Sequence, residues 1–117
     1  MPYRRILETL VAHVAGARTA LLLDAQGEVV VGAGDLGERQ RLIGAYQGIA
    51  LGMTTRTAER YEAGAVRSLV WRHDGGTVVL TTLKDGYYIV VSLGRESLPA
   101  AAVRHCEEAR VRLEQEI

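Results

Sequence analysis

Phenylalanine is missing from all 117 residues, and one tryptophan and five tyrosines supply the whole aromatic content. A core built without Phe has to be filled by Leu, Val, Ile and Ala, which leaves little material for a roomy, aromatic-lined ligand cavity. The single cysteine, Cys106, excludes an internal disulfide and any cysteine-based zinc site, so a reducing cytoplasmic setting is expected. Neither sign of charge is in excess, because fourteen Lys and Arg face fourteen Asp and Glu. That balance removes the attraction on which nonspecific binding to nucleic acid or anionic membranes depends, and no nucleic-acid partner is expected. Apolar runs are too short for membrane insertion, which needs about eighteen residues. Glu8 and His13 also interrupt the signal peptide that Arg4, Arg5, Ile6 and Leu7 could begin. No GxxxxGK[S/T] loop occurs, so the chain is not expected to hydrolyse nucleotide itself, and no cofactor is called for.

Apolar periodicity supplies the elements. Ile6, Leu7, Leu10, Val11 and Val14 recur at helical spacing and predict an amphipathic helix over 3–15, ended by Gly16. Two short apolar strands over 19–23 and 28–31 flank Asp24-Ala25-Gln26-Gly27, a turn sequence of hairpin length. A long helix follows over 36–61, with Asp35 placed to cap it and Gly64 to close it. Strands over 65–72, 77–83 and 87–93 are joined by the turns His73-Asp74-Gly75-Gly76 and Lys84-Asp85-Gly86. The last two strands are apolar or threonine-rich on both pleat faces, so their sheet should be covered on both sides. Ser97 is placed to cap a final helix that tolerates Pro99 in its first turn and carries the stripe Ala102, Cys106, Ala109, Leu113 and Ile117. The order αββαβββα, with no linker or repeat, predicts one α+β sandwich domain over 1–117.

The middle helix is the unusual element. From Leu42 to Thr55 no residue is charged, and Gly44, Gly48 and Gly52 repeat at four-residue spacing. At about 100° per residue, Leu42, Tyr46, Ile49, Met53 and Thr57 share one side, while Gly44, Gly48, Leu51, Gly52 and Thr55 lie roughly opposite. The first side is expected to face the chain's own core and the glycine side a partner, since each glycine costs the helix about 0.8–1 kcal/mol relative to alanine. On that reading Gly48→Arg leaves the fold intact and abolishes partner binding. The alternative is that the glycines let the helix lie close to its own sheet.

This order of elements, with its Ala20-Leu21-Leu22-Leu23-Asp24-Ala25-Gln26-Gly27 opening and Leu80-Thr81-Thr82-Leu83-Lys84-Asp85-Gly86 second half, resembles the roadblock family, also called the dynein light chain roadblock type. The resemblance implies a five-stranded antiparallel sheet with the long middle helix on one face and the two terminal helices on the other. It implies a homodimer joined through the third strand, here Ala65, Val66, Arg67, Ser68, Leu69, Val70, Trp71 and Arg72, whose edge carries unpaired backbone groups. It further implies a partner, a small Ras-like GTPase, met by Gly44, Gly48, Leu51, Gly52 and Thr55 in an activating or effector capacity. Two other readings stay open: a structural dimeric subunit of a scaffold or motor-type complex, indifferent to nucleotide state, and a small-molecule sensor of PAS-like or profilin-like shape. No catalytic role is expected of His13, His73 or His105, which are far apart in sequence. Asp24, Asp74 and Asp85 each sit in a glycine turn. Arg56, Arg60, Arg67 and Arg72 are the only candidates for an arginine finger, and Cys106 reads as an inert core thiol.

Overall fold

Alternation along three central strands decides the architecture. In the computed structural model, which describes residues 2–117, α1 (Pro2–His13) leads into β1 (Ala17–Leu23) and β2 (Val29–Gly34). Then come α2 (Glu38–Arg60), β3 (Ser68–His73), β4 (Gly76–Thr82), a 3-10 turn (Lys84–Gly86), β5 (Tyr88–Leu93) and α3 (Pro99–Glu114). The strands form one antiparallel sheet in the order β2-β1-β5-β4-β3. Successive side chains of a strand point to opposite faces. Ala20, Leu22, Val79, Ile89 and Val91 therefore join Ile6, Leu7, Leu10, Cys106 and Leu113 under α1 and α3, while Leu21, Leu23, Val78, Leu80, Tyr88 and Val90 form a second core under α2. Both faces are covered, as the two-sided apolar strands require. Among the described residues the first core holds seventeen buried residues and the second six, so α2 is much the more lightly attached helix.

Several local expectations are corrected. Asp35 does not cap α2, because Gly37 occupies that position and Asp35 Oδ1 accepts the Gly37 N–H at 3.0 Å, a local turn that spends the carboxylate two residues early. Strand β3 starts at Ser68 and not at residue 65. Ala65, Val66 and Arg67 precede it as irregular chain, in which the Val66 carbonyl accepts Thr82 Oγ1 at 2.8 Å and the Arg67 carbonyl accepts the Thr82 N–H at 3.0 Å. Leu98 takes the cap position of α3 with Pro99 next to it, and the Ser97 hydroxyl lies over Gly16 without a hydrogen-bond partner.

The largest correction concerns the rotation of α2. Leu42, Tyr46, Ile49 and Met53, expected in the core, are 48, 63, 61 and 59 % exposed. Its inner side carries Ile43, Gly44, Gln47, Gly48 and Leu51. A Cβ at Gly44 would lie 2.7 Å from Leu21 Cδ1, and one at Gly48 would lie 2.8 Å from the Tyr88 hydroxyl. The glycines are thus a packing device against the chain's own sheet, the alternative left open by the sequence. Helical periodicity separates the two sides but carries no sign. Leu21, Leu23 and Tyr88 already fill the space beneath the helix, so only its slim side fits there. Gly48→Arg would drive a long side chain into Tyr88 and is expected to disturb the fold.

Gly52 stands apart, since a Cβ there meets only Arg56 Nη1 at 3.6 Å. Gly44→Val is expected to lower stability by about 1–3 kcal/mol through overpacking, and Gly52→Ala to raise it by about 0.8–1 kcal/mol through helix propensity. Urea unfolding followed by circular dichroism at fixed protein concentration measures both. A neutral Gly44→Val would mean that this side of α2 does not rest on the sheet.

Candidate interaction surface

With its glycine side turned inward, α2 presents Leu42, Tyr46, Ile49 and Met53 to solvent as one continuous row, at steps of four, three and four residues. The row has no charge within it. Toward the end of the helix it runs into a shallow groove of about 380 Å³ lined by Met53, Arg56, Thr57, Arg60 and Tyr61. A single exposed leucine is ordinary, but a row of four large apolar side chains on one helix is the kind of surface that marks a contact.

Beside this helix lies the free edge of the sheet. β3 is an outer strand, bonded only to β4, with a sequence free of glycine and proline, and Val70, Trp71, Arg72 and His73 are exposed. The other outer strand, β2, is interrupted by Gly32 and by Gly34 at φ +83°, which suits it less to continuous pairing. A side-chain bond joins the two candidate surfaces. Trp71 Nε1 donates to Gln47 Oε1 at 2.8 Å, and the Gln47 amide donates to the Ile43 carbonyl at 3.2 Å. Gln47, only 5 % exposed, thereby ties the edge strand to the underside of α2. Sequence reasoning missed this pair; its one signal was a lone amide within an otherwise uncharged and largely apolar run.

The packing disperses the residues named from the sequence. Gly44, Gly48 and Leu51 lie toward the sheet, Gly52 and Thr55 are half-buried at the margin of the row, and Arg56, Arg60, Arg67 and Arg72 form no ion pair among the described residues. Ser68 to Arg72 form the edge strand, with Ala65, Val66 and Arg67 leading into it. Asp24 accepts the N–H groups of Gln26 and Glu28 at 2.9 and 3.0 Å, as a turn aspartate should. His13 and His105, distant in sequence, share a cleft of about 220 Å³ between α1 and α3, whereas His73 sits at the β3–β4 turn. His13 is bonded to the Thr9 carbonyl and His105 faces Glu108 at 3.5 Å, and no cluster of three metal-ligating groups occurs among the described residues. Burial, with a smaller contribution from Asp24, pushes the Tyr88 phenol above its ordinary range, and its hydroxyl has no partner beneath Gly48. No helix among the described residues is long and apolar enough to cross a membrane.

The sequence matches the model of the Roadblock/LC7 domain over residues 5–93. No match was found among curated proteins. Among solved structures, a Roadblock/LC7 domain from Streptomyces avermitilis is 20 % identical and superposes with a TM-score of 0.88, covering 97 % of this chain and 95 % of that one. MglB of Myxococcus xanthus is 12 % identical with a TM-score of 0.85, over 97 % and 92 % of the two chains. The gliding protein MglB of Thermus thermophilus is 16 % identical with a TM-score of 0.86, over 97 % and 87 %. At these identities the likeness establishes the fold.

Cys106 lies fully buried on the inner stripe of α3, and burial pushes its thiol from 9.0 up to about 12. The nearby Thr81 hydroxyl, which makes no hydrogen bond of good geometry, offsets only part of that rise. Between those two values the folded state holds a proton that the unfolded state releases, so this group's contribution to stability is complete below pH 9 and declines as pH rises toward 12. Native protein is expected to resist a thiol-specific reagent at mildly alkaline pH and to react fully in denaturant. Rapid labelling of the native state would contradict the burial.

Proposed function

Because the chain belongs to the Roadblock/LC7 domain family, we propose that it is a noncatalytic, homodimeric binding module, one domain over 1–117, that takes a small Ras-like GTPase and modulates its nucleotide cycle in the cytoplasm. The observation that carries this reading is the row Leu42, Tyr46, Ile49 and Met53, held outward by the glycine side of α2 beside an unpaired strand edge. Fully burying an exposed side chain of this size is worth about 1.5–3 kcal/mol, and with these four about half covered already a contact would gain roughly half of that at each. Two copies joined edge to edge at β3 would satisfy the free backbone groups of both and bring two such rows onto one continuous sheet. The pair of helices is then the seat for the GTPase.

A module of this kind acts by holding the partner's mobile switch segments in the order that hydrolysis requires, which lowers the barrier through positioning and charge stabilisation. Arg56 and Arg60 border the row, but an arginine donated from this chain is not needed for that mode of action. The residues named for the partner shift accordingly. Gly44 and Gly48 act from beneath by setting the height of the helix, Leu51 packs against the sheet beside them, Gly52 and Thr55 form the flank, and the row supplies the contact.

Ile49→Arg places a charge in the centre of the row at a 61 % exposed position, where the fold does not depend on it. The variant is expected to keep its circular dichroism spectrum and melting temperature while its affinity for a GTP-analogue-loaded GTPase falls at least 100-fold, about 2.7 kcal/mol. A pull-down from the source cell with GTP-analogue and GDP loading, quantified by mass spectrometry, measures this. Equal capture by Ile49→Arg would overturn the site. Capture indifferent to nucleotide, yielding only self and scaffold proteins, would favour the structural-subunit reading.

A further inference from the structure

A groove of about 450 Å³ opens where β3 turns into β4, beneath the first turns of α2, at the end of the sheet where β1 begins and β5 finishes. Its volume lies in the range of small-molecule sites, about 300–1,000 Å³. Its lining includes two arginines, Arg18 from β1 and Arg39 from α2, and no carboxylate, in a chain whose formal charges sum to zero. Neither arginine is in an ion pair among the described residues. One wall is Trp71, whose indole is fixed by its bond to Gln47 and whose ring meets His73 at 5.3 Å between centroids. His73 Nδ1 accepts the Gly75 N–H at 3.1 Å, so in the neutral ring the proton sits on Nε2, leaving that nitrogen as a donor. Gln40, also in the lining, has its Oε1 shielded from solvent and without any hydrogen-bond partner. A buried acceptor without a donor costs about 1–3 kcal/mol, and this one is at the wall of an otherwise cationic groove.

These groups specify complementary chemistry: an anionic group for the arginines and a flat ring for the exposed Trp71 face. Arginine holds phosphate oxygens in bidentate fashion, and aromatic rings accept a nucleobase by stacking. We propose that the groove between α2 and the β3–β4 end of the sheet binds a small ligand of the nucleoside monophosphate class, its phosphate on Arg18 and Arg39 and its base against Trp71. This site is distinct from the outward row of α2 and does not depend on the GTPase reading. The row can be abolished by Ile49→Arg with the groove intact, so the two ideas fail separately.

Trp71 is the only tryptophan, so its indole N–H gives a single resonance in a nitrogen–proton correlation spectrum. AMP and GMP, titrated separately into the full chain in its native oligomeric state, are expected to shift that resonance along a saturable curve. Inorganic phosphate and adenosine should each bind at least tenfold more weakly. The double variant Arg18→Gln/Arg39→Gln should weaken the nucleotide response at least tenfold, with an unchanged circular dichroism spectrum establishing that it is folded. No saturable shift with either nucleotide, or an undiminished response in the double variant, would overturn the proposal. So would an indole that iodide cannot quench in the assembled protein, which would assign the groove to a second copy of the chain.

Discussion

Two glycines set the height at which α2 lies over the sheet, and the outer surface of the molecule is arranged around that height. Gly44 meets Leu21 and Gly48 meets the Tyr88 hydroxyl, with no room at either place for a Cβ unless the side chain beneath moves. Each glycine costs the helix about 0.8–1 kcal/mol against alanine. The cost is offset by what the close approach allows: Leu51 and Ile43 reach the second core, and Gln47 comes within hydrogen-bond distance of Trp71. With the slim side committed to the sheet, the large side chains of the same helix have nowhere to go but outward. Exposure of Leu42, Tyr46, Ile49 and Met53 is thus a geometric consequence of the inner packing.

The two faces of the sheet carry unequal loads. Under α1 and α3 a broad aliphatic core anchors the fold, with Leu7, Leu22, Ile89, Cys106 and Leu113 essentially inaccessible to water. Under α2 the core is narrow, it includes a phenol hydroxyl without a partner, and the free edge β3 is tied to the helix by one tryptophan–glutamine bond. Stability is concentrated on the face opposite the exposed row of α2. Such a division suits a binding module, because a partner's contribution on the lighter face then adds to a fold already secured on the other.

The family, the element order and the helix–sheet layering were legible in the sequence because they rest on local signals. The Asp24–Gly27 turn, the stripe of Ala102, Cys106, Ala109 and Leu113, and the two-sided apolar pattern of β4 and β5 each follow from spacing alone. Caps were less legible. Asp35 and Ser97 have the right chemistry for helix starts, but their side chains are engaged elsewhere or turned aside. The rotation of α2 could not be read from its periodicity, since both of its sides are uncharged between Leu42 and Thr55 and only the bulk of Leu21, Leu23 and Tyr88 beneath decides which one fits. Gln47 and Trp71 stand 24 positions apart, and the groove at the end of the sheet gathers residues from Arg18 to Leu93, and no local pattern reports such meetings.

The most direct test is residue-resolved amide hydrogen exchange along Ser68–His73. Within a single copy, β3 is an edge strand whose backbone pairs on one side only, with β4. If β3 joins a second copy, the amides that point away from β4 are protected as strongly as those that point toward it. Strong protection confined to the alternate amides bonded to β4, with the outward ones exchanging at the rate of exposed chain, would contradict the edge-to-edge module.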